Sequence, residues 1–301
     1  MAFRTLEINN NAELHIKSNQ LEVTTNEGVA MIPIEDIAVI LMHGANIRLS
    51  SMDLSILTQN KIAIITADDK FLPTAVVLPF NGSSRQSLLM HAQVNYPKDE
   101  YQLIWKDVII QKIMNQSRAL AILGKDGSET VSSHLNYINN DNVDQIEAMA
   151  AKEYFAFYHE GINRRTEDPI NSRLNYGYAV IRSTIARSLV SIGFHPTFGL
   201  HHNSQLNAFN LADDVIEPYR AMVDLVAHNN IGTNANLSFA ERRAMTQTLY
   251  NACIVDGVKI NVLSAIDIMC ESLKSIILDN SSEKIKLPII LPIETVEGVT
   301  E

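Results

Sequence analysis

The sequence predicts a two-domain α+β protein: a small N-terminal β-rich domain over residues 1–78, a linker at 79–86, a larger all-α domain over 87–282, and an extended C-terminal tail at 283–301. Three observations predict it. Apolar and polar residues alternate with period two through the N-terminal part, as half-buried strands require. A breaker-rich stretch, Pro79-Phe80-Asn81-Gly82-Ser83-Ser84, then interrupts the chain, and beyond it apolar positions recur at helical spacing.

In the N-terminal part, Leu6 and Ile8 run into Asn9-Asn10-Asn11, Leu14 and Ile16 alternate with polar partners, and Leu21 and Val23 lead to Thr25-Asn26-Glu27-Gly28 before Val29–Ile34 resumes the alternation. Turn-prone runs between alternating segments are hairpin signals. Ile37–Leu41 is a continuous apolar run suited to a buried strand, Ser51–Gln59 reads as one short helix entered at Ser50, and Ile62–Ile65 and Val76–Leu78 are β-branched strands. Beyond the linker, helices are expected at Arg85–His91, Tyr101–Leu123, Asp144–Tyr158, Ile170–Ile192, Pro218–Ala227, Phe239–Asp256 and Val258–Leu278, with Gly124 to Gly127 as a stop. On the helix from Ile170, Leu174, Tyr178, Ile181, Ile185 and Ile192 form a stripe that faces a core. The Pro-containing sequence from Ser281 onward has no periodicity and reads as the tail.

Composition narrows the function classes. With 301 residues, 46% hydrophobic and 19% charged, the chain is globular and buries a proper core. A net charge of −10 and a pI near 5.4 oppose bulk attraction to phosphate, so any contact with nucleic acid requires a local basic face. Cys253 and Cys270 both fall inside apolar helical patterns, which excludes a disulfide framework and a cysteine metal cluster and fits a reducing cytoplasm. Neither a leader segment nor a membrane span is expected.

Three groups of residues could carry chemistry. Glu147 shares a helix face with Ala151, Tyr154 and Tyr158, and a carboxylate on an apolar face is costly unless it is paired or binds a cation. The bland alternative is an acidic residue complementing the dipole near a helix start. The loop Gly193-Phe-His-Pro-Thr-Phe-Gly199-Leu-His-His202 offers three histidines, and Asp213, Asp214 and Glu217 follow. Imidazole with carboxylates is a common metal-ligand set, although acids before a helix also serve as dipole complements. Arg164, Arg165, Arg173, Arg182 and Arg187 lie between these segments and are either phosphate contacts or solvated side chains. His195, beside Pro196, and His228, near a helix end, read as structural. No Gly-rich phosphate loop, nucleophile elbow or paired-histidine metalloprotease motif is present.

These pieces together resemble the CRISPR-associated integrase of spacer acquisition, the Cas-one family. Glu147-Ala-Met-Ala-Ala151-Lys-Glu-Tyr154-Phe155 is similar to its Glu-x-x-Ala-Ala-x-x-Tyr-Phe segment, and Gly199-Leu-His-His202 to its Gly-apolar-x-His loop. Leu211-Ala-Asp-Asp214-Val-Ile-Glu217-Pro-Tyr-Arg220 resembles its Asp-x-x-Glu/Asp motif, and Asn171 to Val180 its intervening helix. The unbroken run from Asn210 to Arg220 looks most like members from type II systems. The likeness covers most of the chain.

The resemblance implies a divalent ion, Mg²⁺ or Mn²⁺, ligated by Glu147, His202 and Glu217, with Asp214 as a supporting acid; a loop shifted by one residue would substitute His201 for His202. It implies a catalytic domain at 87–282, a dimerisation domain at 1–78, and a phosphodiester transesterification joining the 3′-hydroxyl ends of short DNA fragments to a repeat array, with endonuclease activity beside it. Arg164, Arg165, Arg173, Arg182 and Arg187 become candidate DNA contacts. The implied partners are double-stranded DNA, a second copy of the chain, and a Cas-two dimer bridging two such dimers. The type II effector nuclease and an accessory adaptation protein complete the set, with no membrane. Two competing readings stay open: a non-catalytic DNA-binding scaffold subunit of the same complex, and an unrelated metal-dependent hydrolase of a small phosphate ester.

Overall fold

In a computed structural model of the chain, residues 4–68, 73–80, 83–159, 161, 168–229, 236–279 and 283–293 are described. Eight strands build the N-terminal part: β1 (Arg4–Ile8), β2 (Ala12–Lys17), β3 (Gln20–Thr25), β4 (Gly28–Pro33), β5 (Ile37–Met42), β6 (Ile47–Leu49), β7 (Ala63–Ala67) and β8 (Pro73–Val77), with helix α1 (Ser51–Gln59) between β6 and β7. They form two four-stranded sheets, ordered β1-β5-β7-β8 and β4-β3-β2-β6.

Of the two turn-prone runs, one lies in a hairpin connection, and a second hairpin turns at residues the sequence pattern did not single out. Ser18 and Asn19 both adopt positive φ to join β2 to β3, and Asn26-Glu27 joins β3 to β4. Asn9-Asn10-Asn11 does something else: it hands the chain from one sheet to the other, because β1 pairs in parallel with β5 rather than with β2. Apolar residues of both sheets and of α1, including Ile8, Leu14, Leu21, Ile40, Leu57 and Ile64, meet in one core. The continuous apolar run of β5 follows from burial on both faces. Ile37 and Ile40 join that core, while Val39 and Leu41 pack on the opposite side with Ile65 and with Leu263 of the helical part.

The helical part comprises α2 (Gln86–Asn95), α3 (Lys98–Ile122), α4 (Ser128–Ser133), α5 (Val143–Tyr158), α6 (Pro169–Ile192), α7 (Asn210–Val215), α8 (Arg220–Asn229), α9 (Phe239–Gln247) and α10 (Val262–Asp279). Helix α6 starts at Asp168, whose carboxylate accepts from Ile170 N, with Pro169 in the first turn, and ends at Gly193 in the left-handed region. The expected stripe on α6 is only part of its contact. Tyr176, Val180, Ala186 and Leu189 are buried as well, so neighbours surround the helix nearly all round. Gly177 permits the close approach of α8: a Cβ there would stand 2.5 Å from Val223 Cγ1 and 3.1 Å from Met245 Cε.

One expected pair of helices is corrected. Helix α9 stops at Gln247, and the segment read as helix through Asp256 contains β9 (Ala252–Val255), which turns at Asp256-Gly257 into β10 (Val258–Asn261). Both turn residues have positive φ, the signature of a tight hairpin. Cys253 therefore sits on a strand and Cys270 on a helix; both are buried free thiols, and burial pushes each up to about 12. In the tail, β11 (Ile289–Ile290) adds to β9 as a third strand. The Asn115 side chain of α3 fixes it there, donating to Pro288 O at 2.9 Å and to Pro218 O at 2.7 Å while accepting from Ile290 N at 3.3 Å. Among the described residues, no helix is long and apolar enough to cross a membrane.

Substituting Gly177 tests the α6–α8 packing. Gly177→Ala is expected to destabilise the protein by about 1–3 kcal/mol, since the added methyl must push Val223 aside in a filled core; an unchanged thermal midpoint would mean that the helices do not meet there.

Candidate active site

The site gathers on α3, α5, the α6–α7 loop and the turn after α7. Pro218 lacks an N–H and cannot continue α7, so Glu217–Tyr219 tightens into a 3₁₀ turn before α8 begins at Arg220. This turn buries Glu217 to 7% exposure. Glu147, on the second turn of α5, lies at the edge of that helix's buried face, which runs through Val143, Ile146, Ala150, Tyr154 and Tyr158. Ala151, expected on the same apolar face, is half-buried.

Glu147 and Glu217, seventy positions apart in sequence, converge on one ammonium group. Lys112 Nζ contacts Glu147 Oε1 and lies 2.5 Å from Glu217 Oε2, while Arg220 Nε donates to Glu217 Oε1 at 2.8 Å. Burial alone would raise the Glu217 carboxyl, but Arg220 and Lys112 outweigh it and hold the group at about 2. Burial likewise works against the charge of Lys112, and Glu217 and Glu147 reverse the effect, leaving its pKa above the ordinary lysine value.

His202 is positioned by Asp214. Leu200 N, His201 N and His202 N donate to the Asp214 carboxylate at 2.6, 2.9 and 3.1 Å, and His202 Nδ1 donates to it at 2.5 Å. Three successive backbone N–H groups thus wrap one buried carboxylate, a concavity of the kind that binds anions. Gly199 is required beside it, because a Cβ there would come within 2.6 Å of Asp214 Oδ2. With Nδ1 committed, Nε2 is the ring nitrogen left to a ligand, and the Asp214 hydrogen bond raises the imidazole pKa above 6.5. His201 is occupied elsewhere: its ring stacks on Trp105 at 4.5 Å and its Nε2 sits 3.4 Å from Asp144. Asp214 thus holds the loop and orients His202, while His201 is engaged with Trp105 and Asp144.

The arginines separate. Arg173 is fully buried, bonded to Glu241 and to Pro169 O, and Arg187 is buried against Asp267 at 3.0 Å. Both tie helices together and cannot reach a phosphate, which corrects their expected place in a DNA footprint. Arg182 is half-buried, bonded to Asp213 and Asn207, with its guanidinium 4.7 Å over the Phe209 ring. Arg164 and Arg165 lie outside the described residues.

Sequence reasoning missed Lys112, Arg220 and Asp224. Lys112 was legible: Trp105, Val108, Ile109 and Lys112 follow core spacing on α3, so a lysine stands at an apolar position. Asp224, one turn beyond Arg220, is buried and accepts from Tyr154 at 2.7 Å and from Tyr178, while Arg220 lies 4.7 Å over the Tyr178 ring. These contacts brace Arg220, and through it Glu217.

Among the described residues, no three His, Cys, Asp or Glu side chains are yet gathered as an ion cage; Lys112 closes the carboxylate pair instead. The donor set nevertheless suits a hard divalent cation. Two carboxylates demand positive charge, Glu217 Oε2 makes no well-directed hydrogen bond, and the His202 imidazole, within electrostatic range of Glu217, has only Nδ1 committed to Asp214.

A β-rich domain followed by a helical domain that holds a carboxylate pair closed by a lysine, and an oriented histidine, defines an α+β protein with a buried ionic site. The chain belongs to the CRISPR associated protein Cas1 family, whose model matches residues 7–252. It is 32% identical over 299 residues to the CRISPR-associated endonuclease Cas1 of Neisseria meningitidis, covering 98% of both chains. The fold is similar to a casposase bound to its integration product (TM-score 0.77, 17% identity, 99% of this chain and 96% of that one). It is also similar to a Cas1 protein from Thermotoga maritima (TM-score 0.70, 17% identity, 91% and 97%).

Two outcomes are expected. Asp214→Ala leaves three backbone donors and an imidazole without their acceptor, and is expected to lower stability by about 3 kcal/mol in denaturant melts; a loss below about 0.5 kcal/mol would mean the loop holds itself. For Glu217, a carboxyl depressed from 4.5 to about 2 stabilises the fold fully above 4.5 and loses that contribution as pH falls through 2. The stability gap between wild type and Glu217→Gln is therefore expected to narrow across that window, and a gap constant across it would remove the ion pairs from the stability of the site.

Proposed function

We propose that this chain is a divalent-metal-dependent DNA integrase and endonuclease of CRISPR adaptation, joining the 3′-hydroxyl ends of short DNA fragments to a repeat array. The observation that carries the reading is the convergence of Glu147 and Glu217 on one buried cationic position, with His202 oriented by Asp214 within electrostatic range of Glu217.

Glu147, His202 and Glu217 would hold Mg²⁺ or Mn²⁺, which would supply Lewis-acid polarisation of the attacking hydroxyl and offset charge at phosphorus. Arg220 keeps Glu217 ionised at any working pH, and Asp214 keeps the His202 ring oriented with Nδ1 protonated. In the transfer, a bond from the fragment's 3′-oxygen to a repeat phosphorus forms as the bond from that phosphorus to the repeat's own 3′-oxygen breaks. The attacking hydroxyl's proton passes to water and the departing oxygen regains one. One ester replaces another, so the protein forms no covalent intermediate; water in place of the fragment gives the endonuclease reaction. The β-rich domain supplies contacts to a second copy, and a Cas2 dimer bridges two such dimers.

The test is integration of a fragment into a supercoiled, repeat-containing plasmid in Mg²⁺ or Mn²⁺, with and without Cas2. Glu147→Ala and His202→Ala are expected to abolish product at wild-type levels of folded protein. Integration at the wild-type rate by either variant would dismiss the assigned site.

A further inference from the structure

A lysine stands where the chemistry of the site calls for a metal ion. Lys112 is only 8% exposed, and its Nζ lies between oxygens that belong to two other elements, Glu147 of α5 and Glu217 of the turn after α7. Its contact with Glu217 Oε2 is an ion pair without hydrogen-bond geometry, so charge and not direction holds it there. The second oxygen of Glu217 belongs to Arg220, which is anchored by the Tyr178 ring. Two carboxylates thus face two cationic side chains, with the buried Asp224 as a further acid behind Arg220.

A dication added between Glu147 and Glu217 would meet the ammonium at contact distance, a repulsion that grows as water is excluded. Both cannot use the same oxygens. Of the two cationic side chains, Lys112 is the one free to yield: its stem is long and flexible, whereas the Arg220 guanidinium is fixed over an aromatic face. The way out lies past Glu147, whose side chain is one-quarter exposed.

We propose that Lys112 is the internal counter-ion of the site: it holds Glu147 and Glu217 together in the metal-free protein and gives up both oxygens when a divalent cation is bound. The proposal rests on the metal-site reading above. It makes metal binding a displacement, and it leaves the released ammonium at the mouth, where a DNA phosphate is the group suited to compensate it.

The experiment is a Mn²⁺ titration by calorimetry, with thermal melts in EDTA and in Mn²⁺. Lys112→Met is expected to melt below wild type in EDTA, to regain the difference in Mn²⁺, and to bind Mn²⁺ at least about tenfold more tightly. Lys112→Arg keeps the charge and grips both carboxylates with a planar fork, so it is expected to fold normally and to bind Mn²⁺ more weakly than wild type. Unchanged or weaker affinity in Lys112→Met, or a melting deficit that Mn²⁺ does not repair, overturns the proposal. Should Lys112→Met not fold, Lys112→Arg decides alone, and wild-type affinity there overturns it too. Glu147→Gln separates the two levels: if it leaves wild-type Mn²⁺ binding intact, the metal-site reading itself fails and the counter-ion falls with it. If it abolishes binding while the Lys112 variants behave as wild type, only the role of Lys112 is lost.

Discussion

Two carboxylates cannot share a dry position without positive charge between them, and the helical domain is organised around that constraint. Glu147 and Glu217 come from segments with no sequence proximity, and they meet only because α3 runs between them carrying Lys112 at a core position. A buried ion pair of this kind adds little to stability compared with an apolar substitute, while breaking it leaves an uncompensated charge. Such a cluster costs the fold something to retain. Tyr154, Tyr178 and Asp224 form the layer behind Arg220, and burial beside Asp224 keeps the Tyr154 phenol protonated well above its ordinary value.

The histidine follows a different logic. Asp214 does not reach for a cation; its oxygens are taken by three backbone N–H groups and by the imidazole itself. The carboxylate shapes the loop, the loop presents His202, and His201 is drawn aside onto Trp105. Two adjacent histidines that look interchangeable in sequence are thereby given opposite tasks by one buried acid.

Much of this was legible from residue pattern, and the remainder has identifiable causes. The alternation of β2 to β4 and the periodicity of α5 and α6 were readable because each element buries a face set by local spacing. The β9–β10 hairpin was not read as such, although Asp256-Gly257 between apolar residues is a strong turn signal, because the surrounding run also fits a helical period. Parallel pairing of β1 with β5 depends on contacts far apart in the chain and leaves no local trace. The arginines misled for a related reason: Arg173 and Arg187 look like surface charge until Glu241 and Asp267 arrive from distant helices to bury them. Lys112 could be located by its spacing, yet the two acids it joins become visible only in three dimensions.

The side chain of Asn115 adds a mechanical link to this chemistry. A single amide spans the carbonyl of Pro218, immediately after Glu217, and the backbone of Pro288 and Ile290 in the tail strand. The C-terminal strand and the turn that carries Glu217 are therefore held by one rigid planar group. Losing either partner segment would leave buried donors and acceptors of Asn115 without partners, so the strand and the turn are energetically tied.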